Sequence, residues 1–407
     1  MYIYRHTDRP KPPRMVIRPS GLRKGMDKTM KKLRIGLIGI GFMGKTHLWS
    51  VCNLPFFYKT AELGFEAEVA AVCASTLERA QAFAAEYGIP RAVATPDEIL
   101  ADPTIDVVDI CTPNPLHYDV AKAAILSGKA VLCEKPLTLT AAEAQKLAAL
   151  AAERGVICGT VFNNRFLAPV MRARQLVDEG RLGRILHFEF TYKHNSCIDP
   201  DRRVGWKQTA EGGGGTWYDL GPHVVDLCHY LCGELSFLTG RAQIAYPTHL
   251  KADGSVWQTN ADEAFYLICG TRDGAMGTIT VSKLTQGAND ELTFEVHGER
   301  GSLSFSLMDP NYLNFYDAEA VGSPMGGVRG YTRIECVGRY PSPAAAFPSI
   351  KAPQGWLRGH IGSMATFLSA VAHHTPFSPS FADGAYVQSI LEAAVRSDRE
   401  GREVPLC

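Results

Sequence analysis

The 407-residue sequence has no net charge, because 42 Lys and Arg are matched by 42 Asp and Glu. That balance excludes a global nucleic-acid footprint. No run approaches the roughly 20 uninterrupted apolar residues of a membrane-spanning helix. Residues 1–32 are rich in Arg, Lys and Pro and have no apolar central stretch, so they are not expected to be a secretory signal. Asp8 and Asp27 argue against an organelle transit peptide. We read residues 1–32 as a disordered basic tail, or as an over-long start with initiation at Met26 or Met30. Paired cysteines are not in evidence. The eleven are odd in number and scattered, and Cys73, Cys111 and Cys133 sit in apolar runs where Cys acts as a small hydrophobe. Reduced thiols and a cytoplasmic location are expected. Cys228, His229 and Cys232 are spaced like metal ligands but fall short of a tetrahedral set, so no metal is expected.

What is present is an ordinary globular composition, 46% apolar and 21% charged, on a chain long enough for two domains. From Leu33 strands and helices alternate. Strands are expected at Leu33–Gly39, Val69–Cys73, Asp106–Cys111, Ala130–Cys133 and Val156–Gly159. Helices are expected at Phe42–Asn53, Leu77–Tyr87, Leu116–Ser127 and Ala141–Arg154. The alternation predicts a parallel sheet covered on both faces. After about residue 180 the period changes to two. Leu186, Phe188, Phe190 and Tyr192 alternate with His187, Glu189, Thr191 and Lys193, and similar patterns run through Leu292–Val296 and Leu303–Leu307. That predicts a half-buried, mostly antiparallel sheet with an open face, solvated or paired with another subunit. Helices Ile361–His373 and Ala382–Ser397 close the chain, and residues 318–355, rich in Gly and Pro, read as a long loop.

Gly39, Gly41 and Gly44, with Phe42 and Met43 between them, follow a strand and open a helix. In that context the three glycines serve a tight turn, close approach to a pyrophosphate and close helix–strand packing. The helix N-terminus supplies free N–H groups for the phosphates. The second strand ends in Cys73 and continues as Ala74-Ser75-Thr76, with no carboxylate to bind the adenosine ribose. Ser75, Thr76 and Arg79 suit a 2′-phosphate instead, so NADP(H) is favoured over NAD(H).

Two further motifs carry chemistry. Lys135, in Glu134-Lys135-Pro136, lies at the carboxyl end of a parallel strand, where such sheets bind ligands. A cation there holds a substrate oxygen and stabilises its alkoxide character. Asp219 and His223 are one helical turn apart and face the same side. A histidine moves a hydroxyl proton, and Asp219 orients it or binds a neighbouring hydroxyl.

In order and type, these segments, together with Thr112-Pro113-Asn114 and His117, resemble the glucose–fructose oxidoreductase/inositol dehydrogenase/MocA (Gfo/Idh/MocA) family over nearly the whole chain after residue 32. The resemblance implies an α/β fold: an N-terminal Rossmann domain at 33–160 and a C-terminal α+β domain at 161–407, built on an open, mostly antiparallel sheet for substrate binding and oligomerisation. It implies nicotinamide-dependent redox of sugars, polyols or derivatives, and a homo-oligomer, dimer or tetramer. It carries catalytic roles onto Lys135, Asp219 and His223. Pro113 and Asn114 resemble contacts to the nicotinamide side, His117 a further cofactor contact, and Glu134 a partner of the nicotinamide ribose or of the lysine. Arg165, Tyr192, Trp206, Lys207 and His360 are candidate substrate contacts, with His194 beside them. Two readings compete with a dehydrogenase: a redox-neutral glycoside hydrolase with retained NAD, and a non-catalytic dinucleotide-responsive regulator. The latter is expected to lose the lysine or the Asp/His pair, which this chain keeps.

Overall fold

The computed structural model describes residues 30–199, 203–251, 253–338, 340, 347, 349, 351–353 and 355–406. Nearly all of the expected basic tail lies outside the described residues.

The first sheet is parallel and six-stranded, in the order β3-β2-β1-β4-β5-β6. Its strands are β1 (Lys31–Ile38), β2 (Phe65–Cys73), β3 (Arg91–Val93), β4 (Val107–Ile110), β5 (Ala130–Cys133) and β6 (Cys158–Thr160). Between them run α1 (Phe42–Phe57), α2 (Thr60–Leu63), α3 (Leu77–Tyr87), α4 (Pro96–Leu100), α5 (His117–Leu126) and α6 (Ala141–Arg154). Near-continuous apolar strands are what a sheet covered on both faces requires. Leu33, Ile35 and Leu37 of β1 are fully buried, each contributing about 1.5–3 kcal/mol of burial. The register aligns the carboxyl ends: Ile38 pairs with Cys73 and Ile110, Ile110 with Cys133, and Cys133 with Thr160. Gly39, Ala74, Cys111 and Glu134 therefore leave the sheet along one edge. The strand order reverses direction between β1 and β4, the point where open α/β sheets bind ligands.

The second sheet is nine-stranded, ordered β16-β15-β14-β13-β7-β12-β11-β8-β17. In chain order, α7 (Ala168–Asp178), β7 (Ile185–Lys193) and α8 (Thr216–Cys232) precede β8 (Leu235–Gln243). The small hairpin β9 (Thr248–Leu250) and β10 (Val256–Gln258) stands apart from the sheet. Then come β11 (Ala264–Thr271), β12 (Met276–Ser282), β13 (Glu291–Gly298), β14 (Gly301–Ser306), β15 (Tyr312–Asp317) and β16 (Tyr331–Glu335). Within this sheet β7 and β12 pair in parallel, and the other described strand neighbours pair antiparallel. The expected alternation holds: Phe188, Phe190 and Tyr192 are buried, whereas His187 and Glu189 are exposed. Leu186 departs from it and is 44% exposed. The loop expected over 318–355 is interrupted by β16, an edge strand whose side chains are mostly exposed and leave little apolar signature.

The chain ends with α9 (Leu357–His373), α10 (Phe381–Glu400) and β17 (Val404–Pro405). Ile361, Met364, Phe367 and Leu368 of α9 share a core with β1 and α1, so the last part of the chain returns to the first sheet. In α8, Trp217, Leu220, Val224 and Leu227 pack on the inner face of the second sheet. That seat turns the other side of α8 towards the edge of the first sheet. No helix among the described residues is long and apolar enough to cross a membrane, and the ten described cysteines are unbridged.

Candidate active site

A cleft of about 1250 Å³ runs from the glycine loop to α8. At its first end Gly39 has φ +100, and a Cβ there would sit 2.4 Å from the Cys111 carbonyl oxygen. Only glycine tolerates both the left-handed backbone and that approach. Gly44 lies against the Gly39 carbonyl, where a Cβ would come within 2.1 Å; it packs helix on strand and does not line the cleft. Gly41 has open space on its Cβ side, so a ligand can reach the backbone. The first N–H groups of α1 lack intrahelical partners, as at any helix start. Thr112 also lines the cleft, and its buried hydroxyl has no partner among the described residues. This cradle fits a dinucleotide. Phe42, Met43, Pro113 and Asn114 line it, and Ser75 and Arg79 stand at its far end, with Arg79 Nη1 donating to Ser75 Oγ at 2.8 Å.

At the other end the lysine and Asp/His motifs meet. Lys135 Nζ donates to the Asp219 carbonyl oxygen at 2.6 Å and to Asp219 Oδ1 at 3.2 Å. Lys283 Nζ holds Asp219 Oδ2 at 2.6 Å, and Lys207 Nζ lies 3.5 Å from Oδ1. Burial works against the Asp219 charge, but the three ammonium groups overcome it and hold its pKa well below the usual carboxylate range. The His223 pKa is pushed down as well, to about 3, first by burial and then by the Lys135 charge. Its imidazole is neutral at physiological pH. Asn164 Nδ2 lies 3.4 Å from His223 Nδ1, which fixes the ring from behind, and Asn163 donates to the Asn164 oxygen at 3.3 Å. The Tyr192 ring packs edge-on against His223, with centroids 5.7 Å apart. Tyr192 spends its hydroxyl on Asp290 Oδ1 at 2.5 Å, and His194 Nε2 meets the same oxygen at 3.0 Å.

Beneath these groups lies a sealed chain of charge. His47 Nδ1 contacts the Asp109 carboxylate at 2.9 and 3.0 Å, and Nε2 contacts Glu134 Oε1 at 3.1 Å. Burial disfavours charge on His47, yet Asp109 raises its pKa well above the ordinary value, so an imidazolium bridges two carboxylates. Glu134 is held down to about 2 against its burial, chiefly by His47, and its Oε2 accepts the Lys135 N–H at 3.0 Å. Glu134 thus orients the Lys135 backbone and does not pair with its ammonium. With Cys111, His47 and Asp109 bring three donor atoms within 4.8 Å of one another, already hydrogen-bonded among themselves. His360 lines the cleft above them, and both its buried ring nitrogens lack a partner among the described residues.

Most expected site residues converge here, including Trp206 and Lys207, and four are placed otherwise. Arg165 follows Asn163 and Asn164 but turns away from the cleft. Its guanidinium grips Asp226 (Nε to Oδ2 2.9 Å, Nη2 to Oδ1 2.5 Å) and reaches Asp383 at 3.2 Å. His117 is fully buried, its ring nitrogens 2.8 and 2.9 Å from the carbonyls of Pro136 and Thr112; it ties two loops together and contacts no cofactor space. Thr76 does not line the cleft; its hydroxyl accepts the Arg79 N–H at 3.3 Å and caps α3. Gly44 is the packing position described above. Lys283, His47, Asp109 and Asp290 escaped the sequence reading. Asp109 alone carried a signal: a carboxylate inside the apolar strand Val107–Ile110 demands a partner.

Comparison with known proteins gives the family and the fold. The description "Oxidoreductase family, NAD-binding Rossmann fold" matches residues 33–162, and "GFO/IDH/MocA C-terminal domain" matches residues 170–304. A levoglucosan dehydrogenase of Pseudarthrobacter phenanthrenivorans is 30% identical over 382 residues, 90% of this chain and 96% of its own length. An inositol 2-dehydrogenase of Rhizobium meliloti is 26% identical over 376 residues, 92% of this chain and 99% of its own. Among solved structures, levoglucosan dehydrogenase in complex with NADH and levoglucosan superposes with a TM-score of 0.86 at 29% identity, covering 93% of this chain and all of that one. The chain belongs to the Gfo/Idh/MocA family of nicotinamide-dependent oxidoreductases acting on CH–OH groups.

Proposed function

We propose that this enzyme moves a hydride between nicotinamide and a hydroxyl or carbonyl carbon of a sugar, polyol or derivative, with Lys135, Asp219 and His223 at the reacting carbon. The observation that carries this is their convergence on one end of a cleft whose other end is the glycine cradle. When bound, the nicotinamide supplies the hydride chemistry. Lys135 has three N–H donors and uses two on Asp219, so one is available to polarise the substrate oxygen. Asp219, kept ionised by Lys207 and Lys283, fixes that ammonium in place. His223, neutral and steadied by Asn164, exchanges the hydroxyl proton through Nε2. Trp206, Lys207 and His360 form the wall against the rest of the substrate.

Gly39, Gly41, Phe42, Met43, Thr112, Pro113, Asn114 and Glu134 would surround the cofactor. NADP(H) is the preferred form, supported by Ser75, Arg79 and the missing carboxylate after Cys73. The open sheet face supports a homo-oligomer, and the unbridged cysteines support a cytoplasmic location. The test is nicotinamide absorbance across a sugar and polyol panel, wild type against Lys135→Ala. Unchanged turnover in the variant overturns the assignment. A kcat/KM ratio favouring NAD(H) overturns the cofactor preference.

A further inference from the structure

The register of the second sheet brings together residues far apart in sequence. Lys193, the last residue of β7, pairs with Ser282 on one side and with Glu291 on the other. The next residues out, His194, Lys283 and Asp290, therefore stand side by side at one end of three adjacent strands. Lys283 faces back to Asp219. Asp290 and His194 face the cleft. The main chain there is fixed: His194 N–H donates to Ser282 O at 2.8 Å, and Leu292 N–H to Asp290 O at 3.2 Å.

The two oxygens of Asp290 are treated differently. Oδ1 takes both the Tyr192 hydroxyl and His194 Nε2, which sets the plane of the carboxylate. Oδ2 has no partner among the described residues, and the side chain is 39% exposed, into the cleft. Burial raises the Asp290 pKa, but the His194 and Tyr192 hydrogen bonds outweigh it and keep the group ionised. It lines the same cleft as His223 and His360, the end where the reacting carbon is proposed to sit. Tyr192 is the physical link: its ring lies on His223 and its hydroxyl on Asp290.

Resting on the oxidoreductase reading above, we infer that Asp290 is a specificity residue whose open oxygen accepts a second hydroxyl of the substrate, close to the reacting one. A substrate with that second hydroxyl is therefore preferred over its deoxy counterpart. A carboxylate accepting a hydroxyl makes a charge-assisted hydrogen bond, stronger than a neutral one. A hydroxyl fits better than an ammonium group here, because Lys135 and Lys207 already place positive charge on the same cleft. A substrate lacking the second hydroxyl would leave a desolvated carboxylate oxygen unpaired, which is how such sites discriminate.

The experiment compares wild type with Asp290→Asn, which keeps the shape and an acceptor for Tyr192 but presents an amide where the open oxygen was. Each is assayed on the best cyclitol or pyranose of the panel and on its deoxy counterpart. Polyol binding to the NAD(P)H-saturated protein is measured in parallel by calorimetry. The expected wild-type preference for the parent is on the order of 10- to 100-fold in kcat/KM, expressed mainly in KM. Asp290→Asn loses most of that preference while binding NAD(P)H as before. An unchanged parent-to-deoxy ratio in the variant overturns the inference, as does a matching loss of NAD(P)H binding, which marks a structural role. A variant that favours an amino sugar over wild type also counts against it. Wild-type protein that binds polyol through Asp290 but turns none over overturns the oxidoreductase reading and upholds the subsite.

Discussion

Two ionic clusters of opposite charge balance share helix α8, which supplies a carboxylate to each. Arg165, Asp226 and Asp383 form one; Lys135, Lys207, Lys283 and Asp219 form the other. In the first, one guanidinium is enclosed by two carboxylates and the Ser378 hydroxyl, and the Arg165 and Asp226 side chains are 6% and 1% exposed. Burial pushes the Asp226 carboxyl up to about 6, yet the guanidinium keeps it ionised at neutral pH. In the second, one carboxylate faces three ammonium groups, and Lys207 is 48% exposed. The first cluster is closed and has no capacity left for a ligand. The second has surplus charge and spare donors on a cleft. A buried cluster whose hydrogen-bonding capacity is used up fits the scaffold, whereas one with spare donors opening on a cleft fits the proposed chemistry.

That contrast predicts opposite phenotypes. Lys135→Ala lowers kcat/KM by on the order of 10³-fold, because the polarising donor is removed. Its denaturation midpoint stays close to wild type, since Lys283 and Lys207 still neutralise Asp219. Arg165→Leu does the reverse. Leaving Asp226 buried and unpaired costs about 3–5 kcal/mol of stability. The activity of the folded fraction stays within a few-fold. Denaturant melts and active-site titration of the two proteins separate the effects, and a stable, inactive Arg165→Leu would break the comparison.

The two clusters also show what was legible in the sequence. The parallel sheet, the glycine loop and the trio Lys135, Asp219 and His223 all announce themselves locally, through period, spacing or strand-end position. Arg165 misled because its neighbours Asn163 and Asn164 do face the cleft, and one further step along the turn points the opposite way. Lys283 and Asp290 left no trace, since only the pairing of β12 and β13 with β7 puts them near α8. Short elements were invisible for a different reason. Three-residue β3 has too few positions to show a period, and β16 buries almost nothing.

Acid separates the regions again. His223 and His360 both have pKa values pushed to about 3 from the ordinary 6.5, first by burial. Between those values the unfolded chain binds protons that the folded one refuses, so stability falls as pH drops below about 6.5. The loss is at most about 1.4 kcal/mol per pH unit for each histidine. Asp219, held low by its lysines, adds to the loss only below its ordinary 3.8. His360→Gln is expected to flatten the melting-temperature profile between pH 6.5 and 4, and an unchanged slope would show that the imidazole titrates normally.

The finest version of the comparison lies within four residues. Thr76 and Arg79 both begin α3, and both looked like phosphate ligands. Only Arg79 lines the cleft; the Thr76 hydroxyl is occupied by the Arg79 backbone N–H. Arg79→Ala is expected to lower the NADP(H)-to-NAD(H) ratio of kcat/KM by about 10-fold, the scale of one charge-assisted contact. Stability should barely change. Thr76→Ala removes a helix cap and costs about 1 kcal/mol, with the cofactor ratio intact. If Thr76→Ala shifts the ratio as far as Arg79→Ala does, its hydroxyl must leave the helix end to meet the cofactor, and the division between scaffold and chemistry fails at this point of the fold.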